Sequence, residues 1–327
     1  MLLSRAIIQV CATIILILLI QFSAASLSSA ADQQPAPRFS GNIQLGGMWS
    51  NSTSQLRVSD TNETTPDLNS EADSFNVVYP IVLFDLKYRV KEKTTLHAGT
   101  PIDEYGIRLN AGVAHDLGEP GQLDLSIFWS PMHQEWQDPY IAGQDREETS
   151  AFDAGIELKY NRILGTGFQF RGIYNYIDVD KDLSGDRFED LQRDGTKYTA
   201  NIGYAIQLDR MNKIVPAVDF TRAQMDGASN SYNRYRVLLN YVHLTRQYML
   251  NVYIGGGATQ YDKQHPLYGK TRQATGIGSF AILTWFNPFD WQRTFFSLGA
   301  GAGYSDANIE FYDSRSFSSL VTFGYKF

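Results

Sequence analysis

The sequence predicts an all-β protein: a transmembrane antiparallel up-and-down β-barrel of about fourteen strands, with short periplasmic turns and long external loops. Three observations predict this fold. Apolar and polar residues alternate with a period of two in many segments. The connections between these segments are alternately short and long. The last segment carries aromatic residues on one face up to Phe327.

The beginning of the chain is predicted to be a secretory signal peptide. Arg5 supplies the positive charge that precedes an apolar stretch over residues 6–20, and small residues follow where a signal peptidase needs them. At about 15 residues, the stretch is shorter than the roughly 20 that a membrane-spanning helix needs. We therefore expect a signal peptide (1–31), a short linker (32–37) and a transmembrane barrel (38–327).

The composition excludes several classes of function. The chain has 28 Lys and Arg residues against 35 Asp and Glu residues, a formal net charge of −7. This balance does not favour nucleic acid as a partner, and the sequence carries no phosphate-binding or dinucleotide-binding motif. The single cysteine, Cys11, lies in the predicted signal peptide, so we expect no disulfide and no cysteine metal site in the mature chain. We also expect no cofactor.

The alternation and the intervening turns place the strands in order. The predicted strands lie near 38–50, 75–90, 94–100, 105–116, 121–130, 151–161, 166–177, 196–206, 213–223, 232–244, 247–261, 270–286, 293–305 and 315–327. The sixth strand shows the pattern well, with Phe152 and Ile156 on one face and Glu157 on the other. The third strand has the weakest pattern, and without the hairpin over 94–116 the barrel would have about twelve strands.

The connections indicate the orientation of the barrel. Those after even-numbered strands are tight turns, whereas those after odd-numbered strands are mostly longer and polar, notably 51–74, 131–150 and 178–195. In outer-membrane barrels the short turns face the periplasm and the long loops face outwards. An even number of strands then puts both termini in the periplasm. The sequence thus predicts the outer membrane of a Gram-negative bacterium as the location.

The final strand indicates the partners of the barrel. Val321, Phe323, Tyr325 and Phe327 share one face of this strand. We expect that face to meet outer-membrane lipid and lipopolysaccharide. We also expect the barrel-assembly machinery to recognise the strand at its end, Phe327.

The opposite face of the strands predicts the lining of a pore. The candidate pore-lining residues are Asp85, Lys87, Arg108, Glu157, Lys159, Arg171, Asp219, Arg234 and Arg236. A single Arg or Lys facing lipid at mid-membrane would cost about 2–4 kcal/mol, so these side chains are assigned to the lumen. Both signs of charge are present, and we expect no decisive selection of cations or anions. A constriction is expected where Arg171 and Arg236 face Asp85, Glu157 and Asp219; the alternative is a lumen closed by ion pairs.

Inward-facing glycines distinguish the last third of the barrel. They are predicted to be Gly255, Gly257, Gly299, Gly301 and Gly303. One hypothesis is an off-centre pore along this smooth sector. In the alternative, the 131–150 loop folds inwards and covers the glycines with Trp136 and Tyr140. The twelfth strand carries apolar residues on both faces, so the sequence leaves its register open.

Two features of the sequence are candidates for chemical sites. The first is a run of alternating carboxylates, Asp178, Asp180, Asp182, Asp186 and Glu189. Neither possible phase of this run matches a calcium-binding loop, so a solvated acidic loop is favoured and calcium is the weaker alternative. The second is a His–Ser pair on the outer wall, as a lipid hydrolase would need. His115 and His243 are predicted to point outwards, but no serine lies two residues away on the same face of either strand, so we expect no enzyme.

A set of short motifs lies in the second half of the chain. It comprises Leu191-Gln-Arg-Asp-Gly195, Asn287-Pro-Phe, Trp291, Asp306-Ala-Asn-Ile-Glu-Phe-Tyr-Asp313 and Tyr325-Lys-Phe327. The set resembles a porin-like family of Gram-negative outer-membrane proteins of unassigned function. The resemblance spans roughly residues 38–327, implies a barrel and supplies no catalytic residues. A fourteen-strand wall is too wide for side chains alone to fill readily. A porin-like channel for passive diffusion of small polar solutes is for that reason favoured over a closed barrel with a surface-binding or structural role, and a lipid hydrolase is favoured least.

Overall fold

The computed structural model describes residues 38–69, 72–103, 105–130 and 134–327. The predicted signal peptide (1–31) and linker (32–37) lie outside the described residues. Within the described part of the chain, no helix has both the length and the apolar character needed to cross a membrane.

Fourteen antiparallel strands form a closed barrel, which confirms the predicted fold class. They are β1 (Phe39–Ser52), β2 (Phe75–Lys91), β3 (Thr94–Gly99), β4 (Leu109–Gly118), β5 (Gly121–Trp129), β6 (Glu148–Asn161), β7 (Phe168–Val179), β8 (Gly195–Tyr204), β9 (Asn212–Met225), β10 (Tyr232–Leu244), β11 (Tyr248–Gln264), β12 (Thr271–Phe286), β13 (Thr294–Ala307) and β14 (Ser314–Lys326). The third strand is present, so the alternative of about twelve strands is wrong.

The barrel closes where its first and last strands pair. Asn42 lies opposite Lys326, and Ser52 lies opposite Ser316. The Gly41 N–H donates to the Phe327 carbonyl at 3.2 Å, and the Phe327 N–H donates to the Gly41 carbonyl at 3.0 Å. Each of the fourteen strands thus has a neighbour on both sides, although the short β3 pairs with only Asp85–Lys91 of β2.

The outer wall carries the apolar residues of the alternating pattern. Val78, Val237 and Ile277 are 71%, 66% and 62% exposed. Ile277 fixes the register of β12, which the sequence left open: Ile277 and Leu283 face outwards, and the intervening Phe280 faces inwards. An exposed apolar band of this kind fits a hydrocarbon environment and would be unfavourable in water.

The two rims of the barrel differ as the sequence predicts. At the short-turn rim, strands are joined by residues 92–93, 119–120, 162–167, 205–211, 245–247 and 287–293. At the long-loop rim, they are joined by residues 53–74, 100–108, 130–147, 180–194, 226–231, 265–270 and 308–313.

A hydrophobic cluster, here called the cap, joins the loops of the long-loop rim. Its buried residues are Tyr140, Leu191, Ile309 and Phe311, with Leu68, Phe188, Leu267, Tyr268 and Tyr312 packed against them. Trp136 is fully buried nearby, with the Arg146 guanidinium 4.5 Å from its ring centre. Tyr140 therefore lies in the cap, and the alternative in which the 131–150 loop covers the wall glycines is wrong.

A different connection folds into the lumen. Residues 100–108, here called the inward segment, contain a small hairpin in which Ile102–Asp103 pairs with Gly106–Ile107. Ile102 and Ile107 pack on inward-facing apolar residues of the wall. Those residues are Met48, Ile81, Leu83, Phe280 and Leu320. The fourth strand therefore begins at Leu109. The sequence prediction that it begins at residue 105 is wrong by four residues, because residues 105–108 belong to the inward segment.

Candidate functional site

A cavity runs along one side of the lumen, between two walls of different character. Its volume is about 780 Å³. It reaches Asn161 and Lys213 towards the short-turn rim, and Ser305 and Ser314 towards the long-loop rim. It therefore extends over most of the height of the barrel and is here called the passage.

One wall of the passage is built from small residues. The small wall comprises Gly255, Gly257, Ala274, Gly276, Gly278, Gly301, Gly303, Ser305, Ser314, Ser316 and Ser318. A Cβ on Gly257 would clash with the Tyr235 carbonyl oxygen and lie 2.8 Å from Arg236 Cγ, so the glycine allows β10 to approach closely and leaves room for the arginine side chain. A Cβ on Gly301 would come within 2.5 Å of Phe280, which covers this glycine and its neighbour Gly299. Gly278 has the most room among the glycines of this wall, because a Cβ there would meet only the Ala302 carbonyl, at 3.6 Å.

The opposite wall is a cluster of ion pairs, here called the central cluster. It comprises Asp103, Tyr105, Arg108, Glu157, Lys159, Arg171, Asp219 and Arg236. Arg171 binds Glu157 through its Nε and donates from Nη2 to Asp103 Oδ2 at 2.6 Å. The Nε of Arg236 donates to Asp219 Oδ1 at 3.0 Å. These are charge-assisted hydrogen bonds, which are stronger than those between neutral groups.

The cluster joins the inward segment to the barrel wall. Asp103 belongs to the inward segment, whereas Arg171 and Glu157 belong to β7 and β6. Arg108, at the end of the segment, lies 3.3 Å from Asp103 and 3.7 Å from Glu157. Lys159 reaches Glu157 at 3.5 Å. The same carboxylate thus serves three cations, and it is almost fully buried behind them.

Tyr105 lies at the centre of the cluster. Its hydroxyl donates to Asp219 Oδ2 at 2.5 Å. The guanidinium carbons of Arg171, Arg236 and Arg108 lie 4.4, 5.2 and 5.7 Å from its ring centre, within the range of cation–π attraction. The sequence prediction missed this residue because it assigned Tyr105 to a strand. Pro101 and Gly106, which has φ of 98°, were the available signals of a turn.

The other predicted pore-lining residues lie apart from the cluster. Asp85 accepts from Lys87 Nζ at 2.8 Å, so it does not face Arg171 or Arg236 as expected. Lys87 and Asp85 lie on the lumen face of β2, outside the lining of the passage. Arg234 does line the passage and donates to Thr221 Oγ1 at 3.3 Å.

The acidic loop uses its carboxylates for internal contacts. Asp182 accepts from the Gly185 N–H at 3.0 Å and from Arg193 Nη2 at 2.9 Å. Burial would raise the pKa of Asp182, but the hydrogen bonds and charge of Arg193 outweigh it and lower the pKa. The other members of the calcium candidate, Asp178, Asp180, Asp186 and Glu189, do not gather around it. In the described part of the chain, no group of three or more His, Cys, Asp or Glu side chains is placed to hold a metal ion.

The histidines have partners other than serine. His115 Nδ1 lies 2.9 Å from Thr94 Oγ1, and His243 Nδ1 lies 2.8 Å from Asn212 Oδ1. Among the described residues, no histidine is hydrogen-bonded to a serine hydroxyl, which is the contact that a nucleophile and its base would make.

Comparison with solved structures finds outer-membrane barrels. The outer membrane channel DcaP of Acinetobacter baumannii is similar with 9% identity and a TM-score of 0.43, over 88% of this chain and 97% of that one. OmpT, an outer membrane protein of Vibrio cholerae, has 9% identity and a TM-score of 0.40, over 91% and 100%. The CymD monoaromatic hydrocarbon channel has 9% identity and a TM-score of 0.43, over 87% and 88%.

The sequence comparisons place the chain in a family. No curated protein matches it. One family model, described as a protein of unknown function (DUF2860), matches residues 39–326, which is the whole barrel from β1 to β14. The chain therefore belongs to the DUF2860 family of proteins of unknown function.

Proposed function

We propose that the chain is an outer-membrane channel through which small polar solutes diffuse passively along the passage. The observation that carries this proposal is the cavity of about 780 Å³ that extends between the two rims. A volume in this range accommodates a solute the size of a small metabolite. We place the long-loop rim outside the cell and both chain termini in the periplasm, because this is the usual asymmetry of such barrels.

The chemistry of the walls supports a water-filled route. A wall of about fourteen strands is too wide for side chains alone to fill its lumen. Here the inward segment fills one side, and the small wall leaves the other side open. Its serine hydroxyls offer hydrogen bonds to water and to polar solutes.

Single-channel conductance of the refolded barrel in a planar bilayer tests the proposal. We expect discrete, ohmic current steps. Gly278→Trp should lower the conductance by roughly twofold or more, because pore width limits flow and the new ring would enter the passage. A Cβ at Gly278 meets only the Ala302 carbonyl, at 3.6 Å, so the backbone tolerates the change.

Ser279→Trp is the matched control. Ser279 follows Gly278 in β12, but its side chain is exposed on the outer face. The conductance of the Ser279→Trp variant should therefore equal that of the wild type. A bilayer that stays silent, with folding confirmed by heat-modifiable gel mobility, would contradict the proposal. Equal conductance in all three proteins would contradict the assigned route.

The cap favours a second candidate function, a closed barrel whose long loops bind a surface partner or have a structural role. Tyr140 and Phe311 pack with ring centres 5.4 Å apart, although their loops leave the rim on nearly opposite sides. Phe311→Ala should weaken this bridge. Current that appears only in this variant would assign the cap the role of a gate, whereas silence in both proteins would favour the closed barrel.

A further inference from the structure

The described side chains that line the passage are unequal in charge. Five of them are basic: Lys159, Arg171, Lys213, Arg234 and Arg236. One is acidic, Asp103. The lining therefore has an excess of four positive charges, although the sequence suggested no decisive preference for either sign. The structure and the sequence expectation differ because the alternation of residues predicts the face on which a charged side chain lies. It does not predict whether another side chain covers that charge.

The compensating carboxylates lie behind the cations. The side chains of Glu157 and Asp219 are 1% and 0% exposed, whereas those of Lys159 and Arg236 are 29% and 19% exposed. A solute in the passage thus meets the basic partner of each pair first. The low-dielectric protein around the lumen focuses the electric field of these cations into the passage. Because the buried carboxylates neutralise that field only in part, the potential in the passage stays positive.

The small wall does not cancel this potential. Its described side chains carry no carboxylate where they line the passage, and they present Ser305, Ser314, Ser316 and Ser318. A serine hydroxyl can turn to donate a hydrogen bond to an oxyanion. Both walls therefore offer donors to a negatively charged solute.

Arg234 has donor capacity to spare. Its Nη2 donates to Thr221 Oγ1 at 3.3 Å, and its buried Nε has no hydrogen-bond partner among the described residues. A guanidinium presents five N–H donors in a planar fork that matches a carboxylate or phosphate. Because Arg234 and Arg236 are two residues apart on the lumen face of β10, their guanidiniums form consecutive positions along the route.

We propose that the passage selects anions and that its preferred solutes are small oxyanions, carrying a carboxylate or a phosphate group. The inference rests on the proposed channel function. Lys213 and Arg234 are the positions that an oxyanion meets on either side of the central cluster, and the exposed edges of Lys159, Arg171 and Arg236 lie between them.

Reversal potentials across a tenfold gradient of potassium chloride test the proposal. Low salt is required, since charges are screened within about 10 Å at 0.1 M ionic strength. The wild-type barrel should pass chloride in preference to potassium by roughly threefold or more, given the excess charge. Lys213→Gln and Arg234→Gln together remove half of that excess, so the ratio should move clearly towards one. Inorganic phosphate should lower the chloride current of the wild type more than that of the double variant.

Arg222→Gln is the matched control for Arg234→Gln. Arg222 lies on β9 opposite Asn233, which precedes Arg234 in β10. Its side chain is on the outward face, which it shares with Phe220, and it forms an ion pair with Asp262. Its neutralisation should leave the reversal potential unchanged. A wild-type preference for potassium, or an unchanged ratio in the folded double variant, would overturn the proposal of anion selection. Absence of any current would instead overturn the channel function on which it rests.

Discussion

Tyr105 holds the inward segment against the wall through two kinds of contact. Its hydroxyl binds the buried carboxylate of Asp219, and its ring lies against three guanidiniums. A hydrogen bond to a charged group contributes about 1.5–3 kcal/mol, and each cation–π contact about 0.5–1 kcal/mol at a site open to water. The two contributions are of similar size. Because one comes from the hydroxyl and the other from the ring, two substitutions can separate them.

Tyr105→Phe removes only the hydroxyl, and Tyr105→Ala removes the ring as well. We expect the first to lower the free energy of unfolding by about 1 kcal/mol, because water in the passage replaces part of the lost hydrogen bond. Tyr105→Ala should lower the free energy of unfolding further, because the three guanidiniums lose the ring that positions them. The same loss should raise the single-channel conductance. Urea titration and conductance of both variants are the measurements. Identical effects of the two substitutions would show that the ring does not hold the segment.

At this scale the sequence predicted some contacts and missed others. Alternation placed Arg171 and Glu157 on the same face of neighbouring strands, and Arg236 and Asp219 likewise, and the structure brings each pair together. The alternation could not predict the position of Tyr105, because this residue lies in the inward segment, where side chains do not follow the period of a strand. The position of such a residue depends on tertiary packing.

Among the elements, the cap contains a buried histidine in a defined hydrogen-bonding state. His265 is 1% exposed. Its Nδ1 accepts from the Leu267 N–H at 3.3 Å, so its Nε2 carries the proton and donates to the Tyr312 hydroxyl at 2.9 Å. The Tyr312 hydroxyl is in turn 2.7 Å from that of Tyr140. This chain of hydrogen bonds requires a neutral imidazole.

The surroundings of His265 oppose its protonation. Burial, and then the positive charge of Arg272, lower the pKa of His265 to about 4 from its usual 6.5. The other groups packed around it are the phenols of Tyr140, Tyr268 and Tyr312, whose pKa values burial raises, so they stay neutral. Since the open cap binds the proton more tightly than the closed one, the stability of the closed cap falls as the pH is lowered from about 6.5 towards 4.

Hydrogen exchange in the cap measures this dependence. After correction for intrinsic rates, the amides of residues 265–270 should exchange faster at pH 4.5 than at pH 7.5, by an amount that corresponds to at most roughly 3 kcal/mol. His265→Gln should lose most of the difference, because Gln does not titrate. A wild-type difference that His265→Gln retains would assign the effect to another group.

The elements differ in how far the sequence determines them. Strands such as β6 and β10 were predicted within a few residues, because the lipid and lumen faces impose an alternation of apolar and polar residues along them. The inward segment was misread as the start of a strand, although Pro101 and Gly106 interrupt it. The cap was not foreseen, since loop residues such as Leu191 and Phe311 show no period that reveals their burial.

For the whole molecule, closure depends on the contact between the first and last strands. The rings of Phe39 and Phe327 stack with centres 5.4 Å apart. Near the other rim, Phe317 of β14 packs on Trp49, with ring centres 5.7 Å apart. Phe327 and Phe317 are 42% and 47% exposed, so replacing either one removes a similar buried area.

Phe327→Ser and Phe317→Ser therefore form a matched pair. We expect similar, modest losses of folded barrel when the purified variants refold in detergent, because the lost packing is similar. If assembly machinery recognises Phe327, as we propose, only Phe327→Ser should strongly reduce the heat-modifiable barrel in cell envelopes. Equal reductions in cells would contradict that recognition.

The topology of the whole barrel could be predicted because it follows from simple rules. Consecutive strands pair, connections alternate between rims, and an even number of strands closes with antiparallel neighbours. The shape of the lumen could not be predicted in this way. It depends on which connection folds inwards, and the sum of many weak contacts decides that.

The bridge between Tyr140 and Phe311 also has a mechanical consequence. The two loops leave the rim six strands apart in one direction and eight in the other, so their contact spans the mouth nearly along a diameter. A ring braced across its diameter resists flattening into an ellipse. We therefore expect the brace to bear part of the lateral pressure of a surrounding bilayer, so that the route beneath it keeps its width.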